Sequence, residues 1–119
     1  MPRELTSHRV NGCNEALSVH AMDEPGHGGA SHEYRIQLGG TNYLMVNFQN
    51  GPIKEVGTNG ITHEALLAIL IDRLEGFQSG PYACPENGMA LSCLLSAQRE
   101  LKSRTEKRLA RGVEGTHTV

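Results

Sequence analysis

The segment from Thr62 to Arg111 decides most of what this chain can become, because it reads as two long helices joined by a tight turn at Gly80-Pro81. The first, THEALLAILIDRLEGFQSG, spreads Leu66, Leu67, Ile69, Leu70, Ile71, Leu74 and Phe77 over more than one helical face. One amphipathic stripe is enough to pack on one neighbour, so a helix apolar on several sides is expected to be buried on several sides. In a chain of 119 residues the second covering surface is expected to be another copy of the protein. Each Leu or Ile left wet would otherwise forfeit roughly 1.5–3 kcal/mol. Thr62 is the expected N-cap, with Ile61 and Leu66 at the positions of a hydrophobic staple. Gly80 is the expected C′ glycine, and Pro81 discourages continuation. The second helix runs from about Pro85, which a first turn tolerates, to Arg111. Leu91, Leu94, Leu95 and Leu101 form its apolar stripe, while Gly88 costs it about 1 kcal/mol against alanine.

The late part of that helix is strongly basic. Between Arg99 and Arg111 stand six basic residues (Arg99, Lys102, Arg104, Lys107, Arg108, Arg111) and two acidic ones, Glu100 and Glu106. The rest of the chain holds five basic and eleven acidic residues, so a molecule of net charge -2 concentrates +4 in one helical segment. Such a face on an acidic protein suggests a specific anionic partner. The pI near 6.3 argues against a coat for DNA or RNA polymers, which needs net neutralisation of phosphates. Arg104 and Arg108 lie one turn apart on the same face, where two guanidinium forks can grip a diphosphate. The plainer reading is a solvated charged face with Glu100 bridging to Arg104. The tail after Arg111, with Gly112, Gly115, Thr116 and His117, could wrap a second anion or simply fray.

Ahead of the helices the pattern has period two. Residues 1–14 lack periodicity and read as a mobile arm. Leu17, Val19 and Ala21 alternate with Ser18, His20 and Met22; Tyr34, Ile36 and Leu38 alternate with Glu33, Arg35 and Gln37; Leu44, Val46 and Phe48 mark a returning strand. Gly39-Gly40 signals a primed two-residue hairpin, in which both central positions need positive φ. Residues 23–31 form a glycine-rich loop, and Ile53–Val56 is a candidate short fourth strand. The expected fold is therefore α+β: a small N-terminal antiparallel sheet followed by a C-terminal two-helix hairpin that mediates oligomerisation. The sheet occupies 15–58 and the hairpin with its tail 59–119, in one compact domain with the hairpin covering the sheet's apolar side. With no Trp and 4% aromatics, its core is aliphatic.

Sites of catalysis are hard to find. His27 and His32 sit in the glycine-rich loop with no further ligand at a zinc-like spacing, so no metal or other cofactor is expected. Cys13, Cys84 and Cys93 form no CxxC pair and read as free thiols in a reducing compartment; Cys84 and Cys93 are expected to serve as small buried hydrophobes. No phosphate loop, dinucleotide fingerprint or HExxH is present. The polar opening and an apolar run of only Ala65–Ile71 point to a soluble intracellular protein with no membrane partner. A binding protein is favoured over an enzyme.

The runs FQNGPIKEVG, NG, LLAILIDRLEGFQSGPYAC, EN and RT-x-x-R-x-A-RGVEGTH resemble a phage-encoded family, the Thoeris anti-defence sponge proteins, which share their helical hairpin with an anti-CBASS sponge. The resemblance covers Phe48 to His117 well and the preceding strands more loosely. It implies a non-catalytic protein in the host bacterial cytoplasm that sequesters an immune messenger: the glyco-cyclic ADP-ribose isomer of Thoeris, with CBASS cyclic di- and trinucleotides held in separate pockets by some relatives. It places the ligand-binding residues on Phe77 for base stacking, Asn87 for hydrogen bonds, and Arg104 and Arg108 for the diphosphate. A second nucleotide site is assigned to Arg111, Gly115, Thr116 and His117 from their place beside the basic helix. The alternatives are an enzyme degrading the same messenger, and a structural or nucleic-acid-associated phage protein using the basic helix as a contact surface.

Asn87 and Arg104 are 17 residues apart, roughly 25 Å along one helix, so a small nucleotide cannot touch both in one chain. They can meet across an antiparallel two-fold dimer with two equivalent sites. The resemblance extends this to hexamers built from such dimers. Where relatives commonly read Cys-Arg-Glu-Asn-Ala, this chain has Cys84-Pro85-Glu86-Asn87-Gly88, a difference that bears on how Asn87 is presented and on which messenger is preferred.

Overall fold

The computed structural model describes residues 2–119, and at His27 the backbone alone. The chain divides between Ile61 and Thr62 into a sheet unit and a helical unit. The architecture is α+β, as expected. Four strands, β1 (Arg3–Leu5), β2 (Ser18–Ala21), β3 (Glu33–Gly39) and β4 (Asn42–Asn47), form an antiparallel sheet in sequence order.

Residues 2–14 are not a structureless arm, and Met1 lies outside the described residues. Arg3, Glu4 and Leu5 pair with Ala21, His20 and Val19. After them comes a one-turn helix, α1 (Gly12–Glu15), whose cap Asn11 accepts the Asn14 N–H at 3.0 Å. Three residues are too few to display alternation, so this strand is written in its pairing to the edge of β2 and in the Glu4–Arg9 ion pair at 2.8 Å.

Cross-strand register sorts the sheet into two faces. Val19, Ala21, Tyr34, Ile36, Leu44 and Val46 share one; Ser18, His20, Arg35, Gln37, Tyr43 and Met45 share the other. Ala21 is buried, and Phe48 meets the Tyr34 ring edge-on at 5.8 Å. Leu44, expected inside, is 54% exposed near the hairpin end. Gly39 and Gly40 both take positive φ, 132° and 53°. The pairing nevertheless closes on Gly39 and Asn42, because an irregularity between Gln37 and Gly39 absorbs one residue and moves the connection to Gly40-Thr41.

Ile53–Val56 is not a fourth strand but a single helical turn, α2, entered through Pro52, with the Val56 and Gly57 N–H groups on the Pro52 and Ile53 carbonyls. The chain then returns to the sheet. Asn59 accepts the Asn50 N–H at 2.8 Å and donates to the Asn50 carbonyl at 2.8 Å, while Gln49 accepts the Asn59 N–H at 3.0 Å. Phe48 and Ile61 meet in a parallel bridge. Gly60 lies so close to it that a Cβ there would sit 2.5 Å from the Phe48 carbonyl carbon. The two Asn-Gly steps in this stretch are thus the parts of a clamp.

In the helical unit, α3 (His63–Gln78) and α4 (Pro85–Arg111) pack against each other. Thr62 caps α3 by accepting the Ala65 N–H at 3.0 Å. At its other end Gly80 stands at C′, as expected, but without a left-handed turn. Ser79 closes α3 in right-handed geometry, its hydroxyl on the Glu75 carbonyl at 2.9 Å, and Gly80 follows with its N–H on the Phe77 carbonyl. Ile71 is buried, whereas Ile69 (64%) and Met89 (68%) keep most of their surface. No described helix is long and apolar enough to cross a membrane.

Candidate functional site

The two ends of α4 carry different chemistry. The start of the helix is fixed by its cap: Cys84 is extended and its thiol accepts the Asn87 N–H at 3.4 Å, with Pro85 in the first turn, where an absent N–H costs nothing. The Gln78 side-chain amide then clasps Cys84 from the end of α3, donating to its carbonyl at 3.1 Å and accepting its N–H at 3.0 Å. Gly88 has a reason to be small, since a Cβ there would lie 3.2 Å from Gln78 Nε2. Cys84 acts here through its cap geometry, half-buried, and Cys93 is exposed.

Around this turn the structure gathers Phe77, Tyr82 and Asn87. The Phe77 and Tyr82 rings meet edge-on with centroids 6.1 Å apart, and Asn87 Nδ2 donates to the Tyr82 carbonyl at 3.4 Å. Arg73, one turn before Phe77, lays its guanidinium over the ring face, 4.9 Å from the centroid. An open groove of about 500 Å³ runs beside them, lined by Ile69, Asp72, Arg73, Gly76 and Phe77. Arg73, Gln78 and Tyr82 were missed in the sequence reading. The i, i+4 spacing of Arg73 and Phe77 was the signal available for the first; the others depend on the turn's shape.

Arg104, Arg108 and Arg111 stand at the far end of α4. With Glu100, Ser103, Lys107 and Val119 they line a pocket of about 330 Å³. Arg104 and Arg108 share a face, as expected, but they are not equivalent. Arg104 is exposed. Arg108 is only 8% exposed and is wrapped by the tail. Its Nε–H donates to Glu114 at 2.9 Å, its Nη2 to the carbonyls of Val113 (2.9 Å) and Thr116 (3.3 Å), and its Nη1 to the Thr118 carbonyl. The fold-back starts at Gly112, left-handed at φ 73°, and bends again at Gly115, φ 80°.

The residues assigned to a second site therefore belong to a folded tail and not to a frayed one. Thr116 donates its hydroxyl to the Val113 carbonyl. Arg111 reaches the main-chain oxygen of Val119 at 2.9 Å, and His117 is exposed beside them. Among the described residues, no three His, Cys, Asp or Glu side chains gather where a metal ion could be held. The metal candidate His27 lies outside the described side chains, and the N–H of His32 donates to Asp23 at 2.9 Å.

A hairpin of this build has relatives. Residues 41–102, more than half of the chain, match the family described as Acb2/Tad1, hairpin domain. The chain belongs to this family. It is also 44% identical over 92 residues to a Bacillus phage SBSphiJ7 protein named Thoeris anti-defense 1, a match covering 77% of this chain and 65% of that relative, so it spans less than two thirds of the relative's length. Within the Acb2/Tad1 hairpin segment fall the Gln49–Asn59 clamp, α3, Phe77 and Asn87. Arg104 and Arg108 lie just beyond its end.

Proposed function

We propose that this protein is a phage-encoded anti-defence protein that binds a host immune nucleotide and holds it intact, glyco-cyclic ADP-ribose being the ligand that fits best. The observation that carries this reading is the basic pocket at the end of α4, where exposed Arg104 and neighbouring Lys107 and Arg111 surround about 330 Å³ of open space. Charge-assisted bonds from such groups suit a diphosphate and contribute on the order of 1.5–3 kcal/mol each. Phe77, Arg73 and Asn87 supply what a purine needs: a ring to stack on, a cation, and an amide for its edge.

Arg104, Lys107 and Arg111 meet a diphosphate as positive charges and hydrogen-bond donors, a set suited to storing the ligand intact. Since Asn87 and Arg104 sit at opposite ends of α4, about 25 Å apart along its axis, the complete site is assigned to two antiparallel copies. The exposed Ile69, Met89 and Leu109 side chains support such an interface. Cyclic di- and trinucleotides, and assembly beyond the dimer to a hexamer, are further parts of the same proposal, as is action inside the infected host cell.

Calorimetric titration with glyco-cyclic ADP-ribose, followed by heat release and chromatography of the ligand, tests it. Tight binding, lost in Arg104→Ala, with the ligand returned unchanged is the expected result. A ligand returned altered would make the protein an enzyme. Absence of binding, together with salt-sensitive retention on DNA or RNA, would favour the nucleic-acid reading.

A further inference from the structure

Arg108 presents a conflict that the ligand must resolve. A guanidinium has five N–H donors, and four of those of Arg108 are already committed to the chain's own tail: one to the Glu114 carboxylate and three to the carbonyls of Val113, Thr116 and Thr118. The Nε/Nη2 edge, which offers one of the side chain's parallel two-bond grips, is filled by Glu114 and Val113. With the tail in place, Arg108 cannot hold a phosphate bidentately.

We propose that Glu114 is an internal competitor for the nucleotide site, its carboxylate occupying Arg108 until a ligand phosphate replaces it. The inference rests on the nucleotide-binding reading and concerns regulation of that same site. Three features fit the exchange. Arg108 is 8% exposed, and a buried cation cannot be left bare, so one anion must take over as another leaves. Glu114 is on the looser side of the pair, with 35% of its side chain exposed, so it is the partner able to move away. The tail around it is short, is bounded by the left-handed glycines Gly112 and Gly115, and lies against the pocket that holds Arg104, Lys107 and Arg111. A diphosphate brings more charge to that basic cluster than one carboxylate, so the exchange favours ligands with two linked phosphates over a lone monoanion.

The test combines affinity with hydrogen exchange of the tail, using wild type, Glu114→Gln and Arg104→Ala with glyco-cyclic ADP-ribose. Glu114→Gln keeps an oxygen that can accept the Arg108 Nε–H and removes only the charge. It is expected to bind up to about fivefold tighter than wild type, the upper end for an ion pair with one partner partly exposed. In wild type, saturating ligand is expected to speed amide exchange in 113–118, where the Val113 and Thr116 N–H groups are hydrogen-bonded. If wild type binds, Arg104→Ala does not, and yet tail exchange is unchanged or Glu114→Gln gains no affinity, the competitor role is overturned while the binding reading stands. If neither wild type nor Glu114→Gln binds, both are overturned.

Discussion

Gln78 and Cys84 are joined twice, the side-chain amide of one donating to and accepting from the backbone of the other at 3.1 and 3.0 Å. The pair closes the hairpin and aligns the first turn of α4, from which Asn87 projects. Gln78→Ala leaves the Cys84 N–H to find water in a half-buried turn and leaves its carbonyl with the Gly88 N–H alone, at 3.1 Å. It is expected to cost about 1–2 kcal/mol, two ordinary hydrogen bonds, and to weaken ligand binding without touching any ligand atom. Urea unfolding beside a ligand titration checks this; an unchanged midpoint would show that the clasp is dispensable.

Gly60 and Gly12 make a contrast between close approach and open space. A Cβ at Gly60 would meet the Phe48 carbonyl carbon at 2.5 Å and the Asn47 oxygen at 2.7 Å, both backbone atoms that cannot swing aside. Gly60→Ala must therefore push the Phe48–Ile61 bridge apart, and a loss of about 1–3 kcal/mol is expected, as for other overpacking. A Cβ at Gly12 meets nothing within 4 Å, so Gly12→Ala in α1 is expected to be neutral or slightly stabilising. Thermal melts of the two variants, compared side by side, would contradict this account if they shifted equally.

Asp23 ties down the glycine-rich loop through main-chain bonds. The N–H groups of Glu33 and His32 hold its carboxyl below the ordinary range near 3.8. Because the folded value is the lower one, its contribution to stability is present above the unfolded value and is lost as pH falls through the folded value. Exchange protection of residues 24–33 is expected to be flat down to about pH 5, then to drop in acid. Asp23→Asn removes most of that drop. A variant whose acid profile overlays wild type would assign the loss to other carboxylates.

How much of this could be read beforehand follows the range of the interactions. The Thr62 cap, the helical hairpin itself, the apolar stripe of α4 and the strand alternation around Ile36 and Val46 are local patterns with fixed periods, and they were legible. β1 was not, because Arg-Glu-Leu has no period to show. Nor was α2, whose Ile-Lys-Glu-Val composition suits a strand; Pro52 and the return to Gln49 decide it. The Gln49–Asn59 clamp joins side chains to backbone ten residues away, beyond any periodicity. The burial of Arg108 was not legible for a related reason. Its i, i+4 spacing from Arg104 shows a shared face and nothing of its depth, and only the left-handed turn at Gly112 brings Glu114 back to bury it.

That asymmetry separates the two arginines experimentally. Arg104 is exposed, so Arg104→Ala is expected to abolish nucleotide binding while leaving the unfolding midpoint within experimental error. Arg108→Ala also removes the anchor of the tail, taking one donor each from Glu114 and from the carbonyls of Val113, Thr116 and Thr118. It is expected to lose binding and about 1.5–3 kcal/mol of stability, the range for bonds to a charged group. Equal stability of both variants would mean that the tail contributes nothing to the fold.

A site shared between two copies makes a prediction that no single-chain site can imitate. Asn87→Ala and Arg104→Ala each destroy both sites of a two-fold dimer when pure. Mixed dimers differ: the Asn87 of the Arg104→Ala chain faces the Arg104 of the Asn87→Ala chain, so one site is whole and the other lacks both residues. Random exchange at equal concentrations makes half of the dimers mixed, so about a quarter of all sites should reappear under two-fold symmetry. Unfolding and refolding the two dead variants together, then titrating glyco-cyclic ADP-ribose, measures that fraction directly. Recovery near a quarter with wild-type affinity fixes the antiparallel arrangement. No recovery, in mixtures proven to exchange by mass spectrometry, would place Asn87 and Arg104 in different sites and send the ligand to one end of α4 alone.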